Sequence, residues 1–161
     1  MNNFIEKKGV LKVKNFLSQI DSSINLIELT TTAKTAQDAA KSLNQEVGSI
    51  VKSLVFLKNS FEYYLCLVSG DKYLSKDKLS LITQNKILKA TAEDVKKLTG
   101  FSIGGVSPVA HENSPYKVFI DINLKRYKNI FAAAGHPFVI FETNFNQLCN
   151  ITKGKVTDIT E

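Results

Sequence analysis

The chain has 161 residues, of which 43% are hydrophobic and 22% charged, the size and composition of one ordinary folded domain that needs no metal or disulfide to hold its core. No apolar run approaches the ~18–20 residues needed to span a bilayer, and the N-terminal residues lack the apolar stretch of a secretory signal, so a cytoplasmic location is expected. The 21 lysines and arginines and the 15 acidic residues give a net charge of +6. This charge either suits a polyanion such as nucleic acid or reflects a lysine-rich composition. Because Arg126 is the only arginine, sequence-specific reading of DNA is not expected.

The first half of the chain predicts two helices, a short strand and a hairpin. The apolar spacing indicates, in chain order, a helix over 9–20, a strand over 24–29, a helix over 36–43, and hairpin strands over 50–57 and 61–68. Thr35 followed by Asp38 resembles a helix-capping box, with Asp in place of Glu. The strand 50–57 is apolar on both faces, which is typical of a strand that is covered on both sides.

The second half predicts three helices among shorter strands. Ser75, Thr91 and Thr143 are the expected first residues or caps of these helices, which run through Ile82, Leu98 and Leu148. Strands are expected over 87–88, 117–122, 130–134, 138–141 and 156–159. Because hairpins and crossovers are mixed, the fold class predicted is α/β (mixed α+β): a single domain over 1–161 with a curved, partly barrel-like mixed β-sheet surrounded by helices.

Lys52 is the most informative single residue, because it interrupts the apolar strand 50–57 at a position that strand geometry buries or half-buries. Such a lysine either packs its stem while its amine reaches water, or projects its amine into a pocket. In a pocket the amine would meet a phosphate, a carbonyl or a polarised water, and partial burial would make its pKa sensitive to these partners.

The glycines Gly104 and Gly105 open a second candidate feature, the loop Gly-Gly-Val-Ser-Pro at 104–108. Paired glycines let a backbone approach a ligand closely, and their free N–H groups suit an oxyanion hole. The alternative is a simple turn between a helix and a strand. The segment is neither a P-loop nor a dinucleotide-binding fingerprint, because the required lysine and third glycine are missing.

Ser107, a histidine and Asp121 supply the residue types of a hydrolase triad, but the Gly-x-Ser-x-Gly elbow lacks its final glycine. Asp121 is the last residue before the end of a predicted strand. A carboxylate at such a position has three alternative roles: it binds a ligand amine, fixes a lysine or caps the next segment. His111 and His136 lack the short spacing of zinc ligands, so no metal is expected; His136 either lines a pocket or simply forms a turn.

Cys66 and Cys149 are interpreted as free thiols among apolar neighbours, with a disulfide or a catalytic cysteine as the alternatives.

Seven short motifs occur together and in a fixed order. They are Thr-Ala-Gln-Asp-Ala-Ala (35–40), Ile-Val-Lys-Ser-Leu-Val-Phe (50–56), Leu-Val-Ser-Gly (67–70), Thr-Gly-Phe-Ser-Ile-Gly-Gly-Val-Ser-Pro (99–108), Val-Phe-Ile-Asp (118–121), Ala-Gly-His-Pro (134–137) and Ile-Thr-Lys-Gly (151–154). In this combination the chain resembles the YbaK/EbsC family, aminoacyl-tRNA deacylases related to the editing domain of bacterial prolyl-tRNA synthetase. The resemblance covers about residues 24–161.

The resemblance implies hydrolysis of the ester that joins a wrong amino acid to the 3′-terminal adenosine of tRNA, typically alanine or cysteine on proline tRNA. Lys52 matches the family's key lysine, and Gly104 and Pro108 match its Gly-x-x-x-Pro substrate loop. No metal or other cofactor is implied, and the absence of an appended synthetase domain resembles a free-standing editor that acts in trans. The chain departs from the family at Ala110, before His111, where members often have glycine, and this affects the expected amino-acid selectivity.

On this basis we predict catalytic roles for Lys52, Gly104 and Gly105, with a positioned water as the attacking group. Substrate-binding roles are predicted for Thr35, Ser53, Val106, Ser107, Pro108, His111, Asp121 and His136. The expected partner is the 3′-CCA end of mischarged tRNA, with prolyl-tRNA synthetase or other translation factors as further candidates and neither membrane nor DNA. Two alternatives stay open: a catalytically weak module that binds tRNA or a synthetase, and a small-molecule ester hydrolase that uses Ser107.

Overall fold

The computed structural model describes residues 3–161, in which eight strands form one mixed sheet. The strands are β1 (Leu26–Glu28), β2 (Ile50–Leu57), β3 (Tyr63–Ser69), β4 (Leu88–Lys89), β5 (Lys117–Asp121), β6 (Ile130–His136), β7 (Val139–Thr143) and β8 (Lys155–Thr157). Their order is β1-β7-β6-β2-β3-β5-β8, with β4 paired to β2 outside this path. The β2–β6, β3–β5 and β5–β8 pairs are parallel, and the other pairs are antiparallel. The predicted mixed fold class and the β2–β3 hairpin are therefore confirmed. The sheet does not close into a barrel.

Five α-helices accompany the sheet. They are α1 (Lys8–Ile20), α2 (Ala36–Leu43), α3 (Lys76–Thr83), α4 (Ala92–Thr99) and α5 (Phe145–Thr152), with short 3₁₀ turns at Phe4–Glu6, Val47–Ser49 and Ile122–Arg126. The hydroxyl oxygens of Thr35, Ser75 and Thr91 accept hydrogen bonds from backbone N–H groups three residues on, at 3.1–3.2 Å. These caps begin α2, α3 and α4 where the sequence pattern predicts.

The prediction that Thr143 caps the last helix is wrong. Thr143 is the final residue of β7, and its hydroxyl donates to the Oε1 atom of Gln147 at 2.5 Å. Asn144 is the cap, because its Oδ1 atom accepts the backbone N–H of Gln147 at 2.8 Å. Threonine and asparagine are both good caps, and only the pairing of β7 decides where the strand stops.

β3 is the centre of the core, since all seven of its residues are buried. Its odd-numbered apolar residues pack in a cluster with α1, α4 and α5, and its even-numbered residues pack in another cluster with α3 and β5. A strand with apolar side chains on both faces must be covered on both sides. β2 and β3 therefore form a rigid base for residues that project from them.

One edge of β2 is only partly paired, and this feature positions the site. β2 pairs along Val51–Leu57 with β3 on one edge; on the other, β6 pairs with Ile50–Val51 and β4 pairs with Phe56–Leu57. Between them, residues 52–55 have no strand partner on that side within residues 3–161. We call these four residues the open edge.

Between residues 3 and 161, none of the helices has the length and apolar character needed to cross a membrane.

Candidate functional site

A cavity of about 570 Å³ opens at the open edge of β2, within the usual range for ligand sites. It is enclosed by β2, β4, β6, the first turn of α2, the loop that follows α4 and the segment that follows β3. Its mainly apolar wall includes Ala33, Ala36, Ala39, Ile50, Val55, Phe56, Val95, Val106, Phe131, Ala132 and Ile140. The sheet thus parts at β2 and leaves a pocket.

Lys52 lines this cavity from the open edge. Its Nζ atom donates a hydrogen bond to the backbone carbonyl of Lys72 and lies 5.1 Å from the ring centroid of Tyr73. Burial lowers the pKa of Lys52, and the nearby carboxylates of Asp71 and Asp121 oppose that shift. The amine is therefore half-buried, with two opposing influences on its charge.

Three lysines line the cavity, Lys34, Lys52 and Lys89, and its lining contains no aspartate or glutamate. Neither Lys34 nor Lys89 forms a salt bridge with any of residues 3–161. A concave apolar site with unpaired cations at its wall attracts anionic ligands. Neither lysine stands out in the sequence, because the chain is rich in lysine throughout.

The glycine loop closes one side of the cavity. Gly104 has φ +92°, which favours glycine, and a Cβ atom there would come within 3.2 Å of the Cγ atom of Lys34. A Cβ atom on Gly105 would lie 2.9 Å from the backbone N and Cα atoms of His136. Both glycines are thus required for the loop to pack on its neighbours.

The prediction that both glycine N–H groups are free is wrong for Gly105. Its N–H donates to the carbonyl of Ser102 at 2.9 Å in a turn, and the residue is buried outside the cavity lining. Gly104 and Val106 do line the cavity, and their N–H groups have no acceptor among residues 3–161. The candidate oxyanion donors are therefore Gly104 and Val106.

Thr35 and Ser53 also line the cavity, as predicted for residues near the substrate. The Thr35 hydroxyl already caps α2, whereas the Ser53 Oγ atom is buried without a hydrogen-bond partner among residues 3–161. A buried hydroxyl without a partner is costly. Ser53 therefore places a hydroxyl without a partner among residues 3–161 in the wall of the cavity.

Ser107, Pro108 and His111 lie outside the cavity lining, contrary to their predicted contact with substrate. Ser107 is fully buried, and its Oγ atom accepts the N–H of Val109 at 3.1 Å. The Nε2 atom of His111 faces the backbone carbonyl of Ser107, not its hydroxyl. These residues lie outside the cavity and support the loop through their packing and hydrogen bonds.

His111 is held on its other side by Tyr63, whose hydroxyl lies 2.7 Å from the Nδ1 atom. Burial lowers the pKa of His111 and favours the neutral ring, which donates from Nε2 to the carbonyl of Ser107. No Ser-His-Asp triad is assembled here, because Asp121 makes its contacts elsewhere.

Asp121 is fully buried at the end of β5. Its Oδ1 atom accepts the backbone N–H of Asn123 at 2.9 Å and its Oδ2 atom accepts the backbone N–H of Ser69 at 3.0 Å. Asp121 therefore caps the following 3₁₀ turn, one of the three alternatives above, and fastens the end of β3. It does not line the cavity.

His136 sits at the β6–β7 turn, behind Gly105 and outside the cavity lining. Its ring stacks on Phe4 at 4.5 Å, and its Nδ1 atom accepts the N–H of Phe138 at 3.1 Å. Burial lowers its pKa. The residue is a packed turn histidine against which the glycine loop rests.

Cys66 and Cys149 are free thiols, and burial raises the pKa of Cys66 to about 12, which makes it unreactive. Across residues 3–161, no group of three or more His, Cys, Asp or Glu side chains is placed to hold a metal.

The chain is similar to known proteins in both sequence and structure. The aminoacyl-tRNA editing domain family matches residues 30–151. A solved structure of a candidate trans-editing enzyme for prolyl-tRNA synthetase superposes with a TM-score of 0.89 at 35% identity, over 96% of this chain and 98% of the other.

Two curated relatives extend the comparison. The candidate Cys-tRNA(Pro)/Cys-tRNA(Cys) deacylase EbsC of Enterococcus faecalis is 26% identical over 78% of this chain and 76% of its own length. The proline–tRNA ligase of Fervidobacterium nodosum is 37% identical over 62% of this chain, and the match spans only 17% of the ligase.

The family match and the similarity to EbsC and to the trans-editing enzyme assign the chain to the aminoacyl-tRNA deacylases, a class of ester hydrolases. Because the family match covers more than half of the sequence, the chain belongs to the aminoacyl-tRNA editing domain family. The resemblance to the YbaK/EbsC group is confirmed by the same match, by EbsC and by the trans-editing enzyme.

Proposed function

We propose that this protein is a free-standing editing enzyme that acts in trans on mischarged proline tRNA, with alanyl or cysteinyl esters as substrates. The observation that carries the proposal is the cavity at the open edge of β2, which combines an apolar wall, three lysines and no carboxylate. Such a site fits the anionic 3′ end of a tRNA that bears a small apolar amino acid. The reaction takes place where charged tRNA is found, in the cytoplasm.

The chemistry needs no protein nucleophile. A water oxygen attacks the ester carbonyl carbon, and negative charge develops on the carbonyl oxygen. The bond between that carbon and the ribose oxygen then breaks, and the ribose oxygen takes up a proton that balances the one lost by the attacking water. The products are the free amino acid and a tRNA with an intact 3′ end. The N–H groups of Gly104 and Val106 are the donors that would stabilise the developing charge.

Lys52 is proposed to hold the terminal phosphate or the ester in register. Its amine has three N–H donors, one of which the carbonyl of Lys72 takes, so the others are free for substrate. A cation fixed by the protein at this point orients the substrate for attack and so lowers the entropic part of the barrier.

The apolar wall of the site supports a substrate with a small apolar side chain. Much of the wall consists of Ala33, Ala36, Ala39, Ala132, Val55 and Val106, so a side chain placed against these residues meets methyl groups and no carboxylate. A synthetase separates side chains that differ by one methylene by only ~1–3 kcal/mol, which is why a second sieve is useful. The names of the EbsC and proline–tRNA ligase relatives support proline tRNA as the carrier.

The test is deacylation of a panel of charged tRNAs, beginning with alanyl and cysteinyl proline tRNA. We expect selective turnover by the wild type and a loss of at least about 100-fold in Lys52→Ala, since a group that positions the reacting ester contributes on this order. Lys155→Ala, a change of an exposed lysine on the distant edge strand β8, is the matched control and keeps full activity.

The alternative of a binding module makes the opposite prediction. It requires salt-dependent tRNA binding without turnover on any member of the panel. The other alternative, a hydrolase that uses Ser107, is contradicted by the burial and hydrogen bonding of that residue.

A further inference from the structure

The position of the Lys52 amine depends on the segment that follows β3, residues 69–73. The carbonyl of Lys72 accepts a hydrogen bond from Nζ, and the ring of Tyr73 lies beside it at 5.1 Å. Tyr73 is 71% exposed at the mouth of the cavity, so packing alone does not fix it. Whatever holds this segment therefore determines where the Lys52 charge lies.

Backbone hydrogen bonds from Lys72 to Ser69 and from Glu161 to Tyr73 hold part of this segment, and Arg126 supplies the side-chain contacts that hold its centre. Its NH1 and NH2 atoms donate to the two carboxylate oxygens of Asp71 at 3.1 and 2.6 Å. NH2 also donates to the Ser69 hydroxyl at 2.8 Å, and Nε donates to the carbonyl of Asn123 at 2.7 Å. Only a guanidinium offers this fork of donors in fixed geometry.

Asp121 also contacts the same segment, at Ser69. Its carboxylate accepts the backbone N–H of Ser69 at 3.0 Å and also orders the 3₁₀ turn that carries Arg126. Residues distant in sequence, near 70 and near 121–126, thus form one network around the end of β3. The Asp71–Arg126 pair itself adds little to stability, because both side chains are 38% exposed.

The charges in this network also bear on Lys52. Arg126 lowers the pKa of Asp71 and keeps it ionised, while Asp71 and Asp121 raise the pKa of Lys52 against the effect of burial. The other charged groups in the cavity lining are Lys34 and Lys89. A fixed Asp71 carboxylate therefore helps Lys52 to remain an ammonium ion.

We propose that Arg126 is a positioning residue for deacylation: by fixing Asp71 and Ser69 it sets the segment 69–73, which in turn holds the Lys52 ammonium at the cavity wall. This inference rests on the proposed function, in which the Lys52 charge acts on the substrate. Arg126 itself does not line the cavity and touches no reacting atom.

The experiment compares Arg126→Gln with the wild type on the best charged tRNA of the panel. We expect kcat to fall about 10- to 100-fold while KM changes less than about threefold, because the lost orientation is felt in the chemical step. Arg126→Lys retains the positive charge but not the forked set of guanidinium N–H donors, so its kcat is expected to lie between those of the wild type and Arg126→Gln. Lys125→Gln, which changes an exposed cation on the same turn, is the control and keeps wild-type kcat.

A second readout does not depend on turnover. The pKa of Lys52 is followed by NMR on protein labelled at the lysine ε-carbon, with the signal assigned by its absence in Lys52→Arg. In Arg126→Gln the pKa of Lys52 falls further, because Asp71 is no longer fixed beside it. Asp71→Asn has the same effect, and the double variant is no worse than the stronger single variant.

The outcomes separate the two proposals. A wild-type kcat and an unchanged or raised Lys52 pKa in Arg126→Gln would overturn the inference while the deacylase function stands. A loss of kcat with unchanged Lys52 pKa and a lowered melting temperature would also overturn it, as a structural effect only. If the wild type deacylates no tRNA but the Lys52 pKa falls in Arg126→Gln, the positioning geometry stands and the proposed function fails.

Discussion

The charge of Lys52, which we propose holds the substrate, is partly buried, and we expect this burial to set the pH dependence of the reaction. Because burial lowers its pKa below the ordinary lysine value, the ammonium form is lost at a lower pH than on a free lysine. We expect kcat/KM, corrected for spontaneous ester hydrolysis, to decline on the alkaline side as pH rises through this lowered pKa. In Lys52→Arg the guanidinium stays charged, so the alkaline decline disappears even where overall activity is lower. The same decline in both proteins would rule out Lys52 as its source.

The burial of Lys52 has a matching consequence for stability. The folded state holds the Lys52 proton less tightly than the unfolded chain, so the contribution of this residue to the free energy of unfolding rises with pH between the folded and the unfolded pKa. Denaturant unfolding of wild type and Lys52→Met at pH 7 and pH 10 measures it. The wild type gains relative to the variant at the higher pH; a constant difference would contradict the lowered pKa.

Ser107 offers the opposite case, a residue that resembles a nucleophile but supports a loop. Removal of its hydroxyl leaves the N–H of Val109 without its acceptor, which costs about 1 kcal/mol of folding free energy. We expect Ser107→Ala to unfold at a slightly lower denaturant concentration and to deacylate within about twofold of the wild type. A large loss of activity at unchanged stability would restore the nucleophile hypothesis.

At the scale of elements, the glycine loop depends on the turn between β6 and β7. A methyl group at position 105 would lie 2.9 Å from the His136 backbone, so one of the two segments must move. Gly105→Ala is expected to lower stability by ~1–3 kcal/mol and to reduce deacylation, because Gly104 and Val106 move with the loop. Thr91→Ala, which removes the cap of α4, costs about 1 kcal/mol and is the control for stability, with activity retained.

Local patterns predicted the elements well, and long-range contacts account for what they missed. The caps of α2, α3 and α4 and the bounds of β2 follow from adjacent residues and from apolar periodicity. The open edge, in contrast, arises because β6 and β4 share one side of β2, which no spacing along the chain reveals. For the same reason Arg126 was visible in the sequence only as the sole arginine.

The motif 99–108 shows why the site was only partly predictable. The loop does reach the cavity, but through Ile103, Gly104 and Val106. Ser107 and Pro108 are buried instead. The Ser107 hydroxyl accepts the N–H of Val109, and the Ser107 carbonyl faces His111. A motif identifies a loop; which of its residues face the ligand is decided by how the loop packs.

At the scale of the whole molecule, the net charge of +6 is expected to give salt-sensitive tRNA binding. Lys34 and Lys89 are expected to contribute most besides Lys52, because they line the cavity where the tRNA end is proposed to bind. A plot of log affinity against log salt should lose about 0.7–0.9 of slope for each of these lysines changed to alanine, whereas Lys155→Ala leaves the slope unchanged. Equal effects at all three positions would indicate a diffuse charge effect.

The open edge of β2 also has a consequence for amide hydrogen exchange. Within residues 52–55, strand geometry turns alternate N–H groups toward β3 and toward the cavity. The two N–H groups that bond to β3 therefore exchange with solvent deuterium only when the core opens. The two N–H groups that face the cavity exchange quickly in the folded molecule. A bound substrate analogue would slow the second pair alone, and the resulting two-residue periodicity would record where on β2 the ligand lies.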